Sequence, residues 1–325
     1  YLMCAEGGTG DWHSEVIFVS NHPTGPFVPA PGNPILTQRH FSDDRKNKVD
    51  WAGHADLVQG PDGKYYGVFL AIRPNEKDRV NIGRETFILP VDWSGEFPVF
   101  ENGLLPINPV FTSPAGIVNK NGIDGFFPNG NFTFSDNFLA STLDYRWIAL
   151  RGPRESFIRS GAGGLQITPF ATNIKELKPT STLFLRQQHS NFSFATNLNY
   201  KPESEKDLAG LVCLQSEAFN YVFGITRKGK DYVIVLQRNE RAGRGQPITS
   251  TIVASTVLPD LSAPMQLKVE AVGDAYTFSY AVGSKAFVNL GSAVSGDILS
   301  TDVAGGFTGC LLGLYATTAN DAVPQ

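Results

Sequence analysis

Apolar and polar positions along the chain alternate in short runs, and clusters of Gly, Pro, Asn and Asp separate them. Tyr1-Leu2-Met3-Cys4 is an apolar run read as the second half of a β-strand, which breaks into a Gly-rich turn carrying Glu6, Thr9, Asp11 and His13. Glycines let a backbone adopt positive φ and approach a ligand closely, so polar side chains on such a turn either line a site or decorate a surface hairpin. Residues 15–20 read as a strand stopped by the turn at 21–26, with another turn at 31–34. Residues 55–59 and 65–70 form a hairpin around the Pro/Asp/Gly turn at 60–64, and 84–93 is a further strand. Residues 104–130, with Pro106, Pro109, Pro114 and Pro128, have a linker composition and mark a domain boundary. Beyond it, strands are expected at 165–168, 192–198, 209–214, 221–225, 231–236, 265–271, 275–280 and 309–314. The Tyr276/Phe278/Tyr280 alternation gives one inward and one outward face, as packed antiparallel sheets require. No segment carries a helical period. The expectation is an all-β chain: strand-turn units over 1–130, fitting a sandwich, barrel or propeller, then a two-sheet sandwich over 131–325.

Composition agrees. The 325 residues include 33 Gly, 21 Pro, 23 Phe and 10 Tyr, and only 18% are charged, a balance that favours turns and aromatic strands. A net charge of −4 argues against nucleic acid or an anionic membrane as the main partner, since both need clustered Lys and Arg. No apolar run is long enough to span a bilayer. Cys4, Cys213 and Cys310 permit one disulfide at most, and each lies in or beside an apolar run, which favours three buried thiols. Asn131-Phe132-Thr133 and Asn191-Phe192-Ser193 are N-glycosylation sequons, which makes Asn131 and Asn191 acceptors if the chain is secreted. The start inside an apolar run implies an upstream segment, so the chain is expected to be the carboxy-terminal part of a larger polypeptide.

Several strings occur in an order that resembles a known family. Ala5-Glu6-Gly7-Gly8-Thr9 with His13, Gly25-Pro26-Phe27, Asn33-Pro34-Ile35-Leu36-Thr37, Ala52-Gly53-His54-Ala55-Asp56-Leu57-Val58, Arg73-Pro74 and Gly83-Arg84-Glu85-Thr86 resemble the last blades of family-43 glycoside hydrolases. The similarity is to the β-xylosidase and α-L-arabinofuranosidase branch. Residues 143–151, Ala209-Gly210-Leu211-Val212 and Gly306-Phe307-Thr308-Gly309 are similar to that branch's appended sandwich. The resemblance implies the last blades of a five-bladed β-propeller followed by a concanavalin-like β-sandwich. It also implies a secreted, inverting, exo-acting enzyme that releases terminal xylose or arabinofuranose from xylan or arabinoxylan. Inversion needs two carboxyl groups roughly 6.5–9.5 Å apart. In the family both aspartates lie in earlier blades, and the acid sits in a Glu-Gly-Pro motif just before the strand that ends in Ala-Glu-Gly-Gly-Thr. This chain has no Glu-Gly-Pro, so no catalytic carboxylate is expected in it, and the acid is expected just upstream of Tyr1, in an amino-terminal portion that would act as partner.

The resemblance assigns the rest of the site. Arg84 matches an arginine that contacts substrate hydroxyls and a catalytic carboxylate, whose ionised form a guanidinium would favour. His54 matches a histidine on the propeller axis near a calcium ion, and calcium's preference for oxygen makes contact through water the expectation. Thr9, His13, Glu6 and Arg73 match pocket-lining or loop-stiffening positions, and Phe307 an aromatic on a sandwich loop at the active-site mouth. The chain departs from the pattern at Gly10-Asp11-Trp12 and in the charged loop at 42–48, two places that can reshape the rim. The alternative is a carbohydrate-binding or structural sandwich on a non-catalytic scaffold.

Overall fold

The computed structural model describes residues 1–108 and 130–319; most of the proline-rich 104–130 segment lies outside them. The chain divides into two compact units, one of Tyr1–Pro74 with Arg84–Phe134, the other of Asn75–Gly83 with Ser135–Gln325.

The first unit holds two four-stranded antiparallel sheets. In one, β1 (Leu2–Glu6) pairs with β2 (Ser14–Val19), which also pairs with the short β3 (Val28–Pro29) and β4 (Leu36–Thr37). The other runs in simple order through β5 (Asp50–Gln59), β6 (Tyr65–Ile72), β7 (Glu85–Asp92) and β8 (Val99–Phe100). Both sheets bury one face in a shared core of Ile17, Leu36, Ala52, Phe69, Leu89 and Phe100, among others. Asn33, from the Asn-Pro-Ile-Leu-Thr string, fills the gap along β2 between the residues paired with β4 and those paired with β3. Its Oδ1 accepts the Ile17 N–H at 2.9 Å, and its Nδ2 donates to the Ile17 carbonyl at 2.8 Å. An amide side chain thus stands in for one rung of the ladder.

The second unit is a sandwich with a small two-stranded ribbon of β9 (Ile158–Gly161) and β10 (Gly164–Ile167). Its remaining strands are β11 (Ser181–Arg186), β12 (Phe192–Leu198), β13 (Leu208–Ser216), β14 (Phe219–Lys228), β15 (Asp231–Arg241), β16 (Ile248–Leu258), β17 (Met265–Val272), β18 (Ala275–Val282), β19 (Val288–Asn289), β20 (Val294–Ser295) and β21 (Leu311–Thr317). The larger sheet runs β11-β21-β13-β14-β15-β16; the other runs β12-β17-β18, with β19 and β20 both on β18. Between them lies a core that includes Leu211, Tyr221, Phe223, Leu236, Leu267, Tyr276 and Phe278. Each such large side chain taken out of water contributes about 1.5–3 kcal/mol. The two buried tyrosines keep their hydroxyls bonded: Tyr276 to Gln187 Oε1 and Tyr221 to the Ser295 carbonyl, both at 2.9 Å. Cys213 and Cys310 are buried free thiols, pushed far above their ordinary range by burial, and Cys4 is half-buried.

Residues 75–83 belong to this second unit through a dense set of polar contacts. Lys77 Nζ meets Asp274 at 3.0 Å, and Arg79 meets Asp297 at 3.1 Å and Asp302 at 2.6 Å. The Val80 N–H donates to Ser300 Oγ at 2.7 Å, Asn81 Nδ2 to the Gly296 carbonyl at 2.8 Å, and the Cys310 N–H to the Asn81 carbonyl at 2.7 Å. At its end Gly83 (φ +78°) crosses Gly309 so closely that a Cβ on Gly83 would lie 2.4 Å from the Gly309 nitrogen. A side chain there meets both a left-handed backbone and a backbone wall. Gly83→Val is therefore expected to lower unfolding free energy by roughly 1–3 kcal/mol. Urea titration checks this, and a midpoint unchanged from the parent would contradict the crossing.

Candidate functional site

The site is built where β2 faces β5. Strand β5 pairs with β6 at Asp50↔Ile72, Gly53↔Leu70 and then Asp56↔Val68, so its register slips twice. Each slip puts two β5 residues opposite one of β6. At each, one residue takes a left-handed backbone: Trp51 at φ +54° and His54 at φ +56°. Such bulges re-aim side chains and leave backbone groups outside the ladder. Two side chains on one face of the facing strand take up those groups. His13, just ahead of β2, places Nδ1 2.9 Å from the Trp51 carbonyl. Glu15, two residues on, accepts the Ala55 N–H at 2.9 Å, and the neighbouring His54 N–H also favours its ionised form.

The chemistry of this clamp follows from its burial. His13 is 1% and Glu15 2% exposed. A carbonyl can only accept, so His13 Nδ1 carries the proton and the ring is in one tautomer. Burial lowers the His13 pKa, and the neighbouring His54 and Arg84 charges lower it further; the ring is neutral at pH 7. Burial raises the Glu15 carboxyl from 4.5 to about 7, and Asp56 pushes the same way, against the two N–H donors that favour the anion. Gly53 completes the fit, because a Cβ there would lie 2.8 Å from the His13 ring. The Ala-Gly-His-Ala string has its glycine where the imidazole needs the space.

The expected site residues distribute as follows. His54 is exposed, Arg84 is half-buried at the head of β7, and both act electrostatically on His13. Arg73 is committed to Glu85: its Nε and NH2 donate to the two carboxylate oxygens at 2.8 and 2.7 Å. Glu6 accepts from Ser14 Oγ at 3.2 Å and lies 3.7 Å from Arg39, whose NH1 also reaches the Trp12 carbonyl at 3.4 Å. These contacts tie Glu6 to its own turn. Thr9 is exposed on that turn, after Gly7 and Gly8 at φ +74° and +80°. Phe307 lies in the second unit, 53% exposed on its glycine-rich loop. Asn131 and Asn191 are both exposed, Asn191 with its Oδ1 on the Gly273 N–H at 2.8 Å. In the charged loop, Arg45 and Lys48 stand 3.6 and 3.5 Å from Asp50 at the start of β5. Asp11 accepts the Trp51 indole N–H at 2.6 Å.

Among the described residues no group of three or more His, Cys, Asp or Glu side chains is placed to hold a metal ion. His54 offers nitrogen where calcium prefers oxygen, and Glu15 Oε2 already accepts the Ala55 N–H. Glu15 is the residue that sequence reasoning missed. Its only signal was an acid on the inward face of an apolar strand, two positions after His13.

Glu15 also sets a pH dependence. Its folded pKa lies above its ordinary value, so the folded state binds more protons than the unfolded one between about pH 4.5 and 7. Stability from this group therefore falls as pH rises through that window, by up to about 3 kcal/mol. Glu15→Gln is expected to remove that slope, which thermal melts of parent and variant at pH 5 and pH 7 measure. Equal pH slopes in the two proteins would contradict it.

Comparison with known proteins agrees with this architecture. The model of the β-xylosidase C-terminal concanavalin A-like domain matches residues 135–323, and that of the family-43 glycosyl hydrolases matches residues 1–98. The chain is 31% identical to a non-reducing end α-L-arabinofuranosidase of Bacteroides ovatus, over 98% of this chain and 56% of that protein. It is 26% identical to a β-xylosidase of Bacillus subtilis, over 100% of this chain and 61% of that protein. A crystal structure of a GH43_12 protein from capybara gut metagenome superposes with a TM-score of 0.89 at 51% identity, over 97% of this chain and 57% of that one. The chain thus spans a little over half the length of the relatives it matches. Its β-sheets are those of a family-43 propeller followed by a concanavalin-like sandwich, and the chain belongs to the family-43 glycoside hydrolases, in the xylosidase and arabinofuranosidase branch.

Proposed function

We propose that this chain is the carboxy-terminal portion of an inverting, exo-acting glycoside hydrolase that releases terminal xylose or arabinofuranose from xylan or arabinoxylan. The observation that carries this reading is the buried His13, held on the Trp51 carbonyl where β2 faces β5, with Arg84 and His54 within electrostatic reach of its ring. A guanidinium beside a neutral imidazole suits a pocket that binds sugar hydroxyls and holds a carboxylate ionised. Three carboxylates of this region are engaged: Glu15 by the β5 backbone, Glu85 by Arg73 and Glu6 by its turn. On this reading the general acid and general base come from an amino-terminal propeller portion, in keeping with the absence of Glu-Gly-Pro from this chain. The names of the Bacteroides and Bacillus relatives support the pentosidase reading.

Two measurements test it. The 325-residue chain is expected to be inactive on aryl β-xyloside and aryl α-L-arabinofuranoside. Adding the amino-terminal portion is expected to give hydrolysis whose first-formed sugar, seen by NMR, has inverted anomeric configuration. Turnover by this chain alone, or a retained anomer, would overturn the reading. In the active assembly, Arg84→Ala is expected to lower kcat/KM by about 100-fold, as loss of a charged group from a water-poor site does. A loss under about threefold would remove Arg84 from the site.

A further inference from the structure

We propose that Glu15 is a positioning residue: by accepting the Ala55 N–H that the second β5 bulge releases, it holds the preceding residue, His54, in the left-handed conformation that leaves its imidazole exposed. The inference rests on the reading of His54 as a site residue. A left-handed backbone is sparsely populated for a residue with a side chain, and it persists only where its surroundings over-determine it. Here the ladder cannot supply that restraint, because pairing with β6 lapses between Gly53 and Asp56. The β2 face supplies it instead. One carboxylate, 2% exposed, accepts the Ala55 N–H at 2.9 Å, and the His54 N–H beside it also favours the anion.

The geometry around it is closed on the other side too. His13 holds the Trp51 carbonyl at 2.9 Å, so the first bulge is fixed from the same strand face. Between these two holds, the chain from Trp51 to Ala55 has Gly53 pressed against the His13 ring, where it cannot pivot toward β2. The exposed His54 imidazole is thus the end of a rigid path that begins at a buried carboxylate. Its direction is set by the backbone bonds that hold the bulge.

Hydrogen exchange on the 325-residue chain, with 15N-labelled histidine, alanine, valine and threonine and 13C-labelled imidazoles, tests this without substrate. Failure of the hydrolysis assay leaves the test standing. In the parent protein the His54 and Ala55 amides are expected to exchange as slowly as that of Val68 in β6. In Glu15→Gln they are expected to exchange at least about tenfold faster, while Val68 is unchanged. The His54 ring signal should shift or split, with those of His22 and His189 unmoved. Three results would overturn the proposal: parent amides exchanging as fast as Thr9 on the open turn, a variant with both amides and the ring signal unchanged, or a variant whose protection falls equally everywhere. Should the variant not fold, exchange in the parent decides the matter.

Discussion

A strand that outgrows its partner must find other acceptors and donors for its spare backbone groups, and the first unit depends on how it does so. Strand β5 outgrows β6 twice. The carbonyl and N–H groups set free are buried, where each unmet group costs about 1–3 kcal/mol. Polar side chains on an otherwise apolar strand are the solution, and once they are there much else is determined. The imidazole needs a glycine beneath it, the carboxyl must stay in the dark, and the next residue along β5 is turned outward. A motif that reads as a signature of function is, for half its letters, a signature of this packing problem.

Fold was more legible than site. Alternation and turn chemistry located residues 192–198 and the hairpin at 55–70, because amphipathic strands between Gly, Pro and Asp turns have a period of two. Strand β16 escaped, since Ile248–Leu258 is rich in Ser and Thr and its residues are mostly exposed on both faces, so there is no contrast to read. Strand β11 escaped because its first four residues are all buried, and an unbroken run carries no period. The division near residue 130 did not foresee that Asn75–Gly83 joins the second unit. Its Lys, Asp and Arg look like a solvated loop until the carboxylates at positions 274, 297 and 302 are brought to them by the fold.

The ordered strings singled out Arg84 and His54, and both act electrostatically on His13. Glu6, the acid that the turn displays most openly, is held by Ser14 and faces Arg39. Glu15, which does more, is hidden in β2. An acid inside a strand normally reads as an outward-facing position, and only the burial of that face reveals that it points inward.

The loan of Asn75–Gly83 to the second unit bears on how the molecule can be dissected. A fragment beginning at Ser135 would keep every strand of the sandwich yet lose the lysine and arginine opposite Asp274, Asp297 and Asp302, together with the backbone partner of Cys310. Asp274 is 1% exposed with Glu76 and Lys77 packed on it, so that fragment would uncover its carboxylate and strip its cation. The minimal autonomous sandwich is discontinuous in sequence. Circular permutation or a grafted linker, rather than simple truncation, is the route to isolating it.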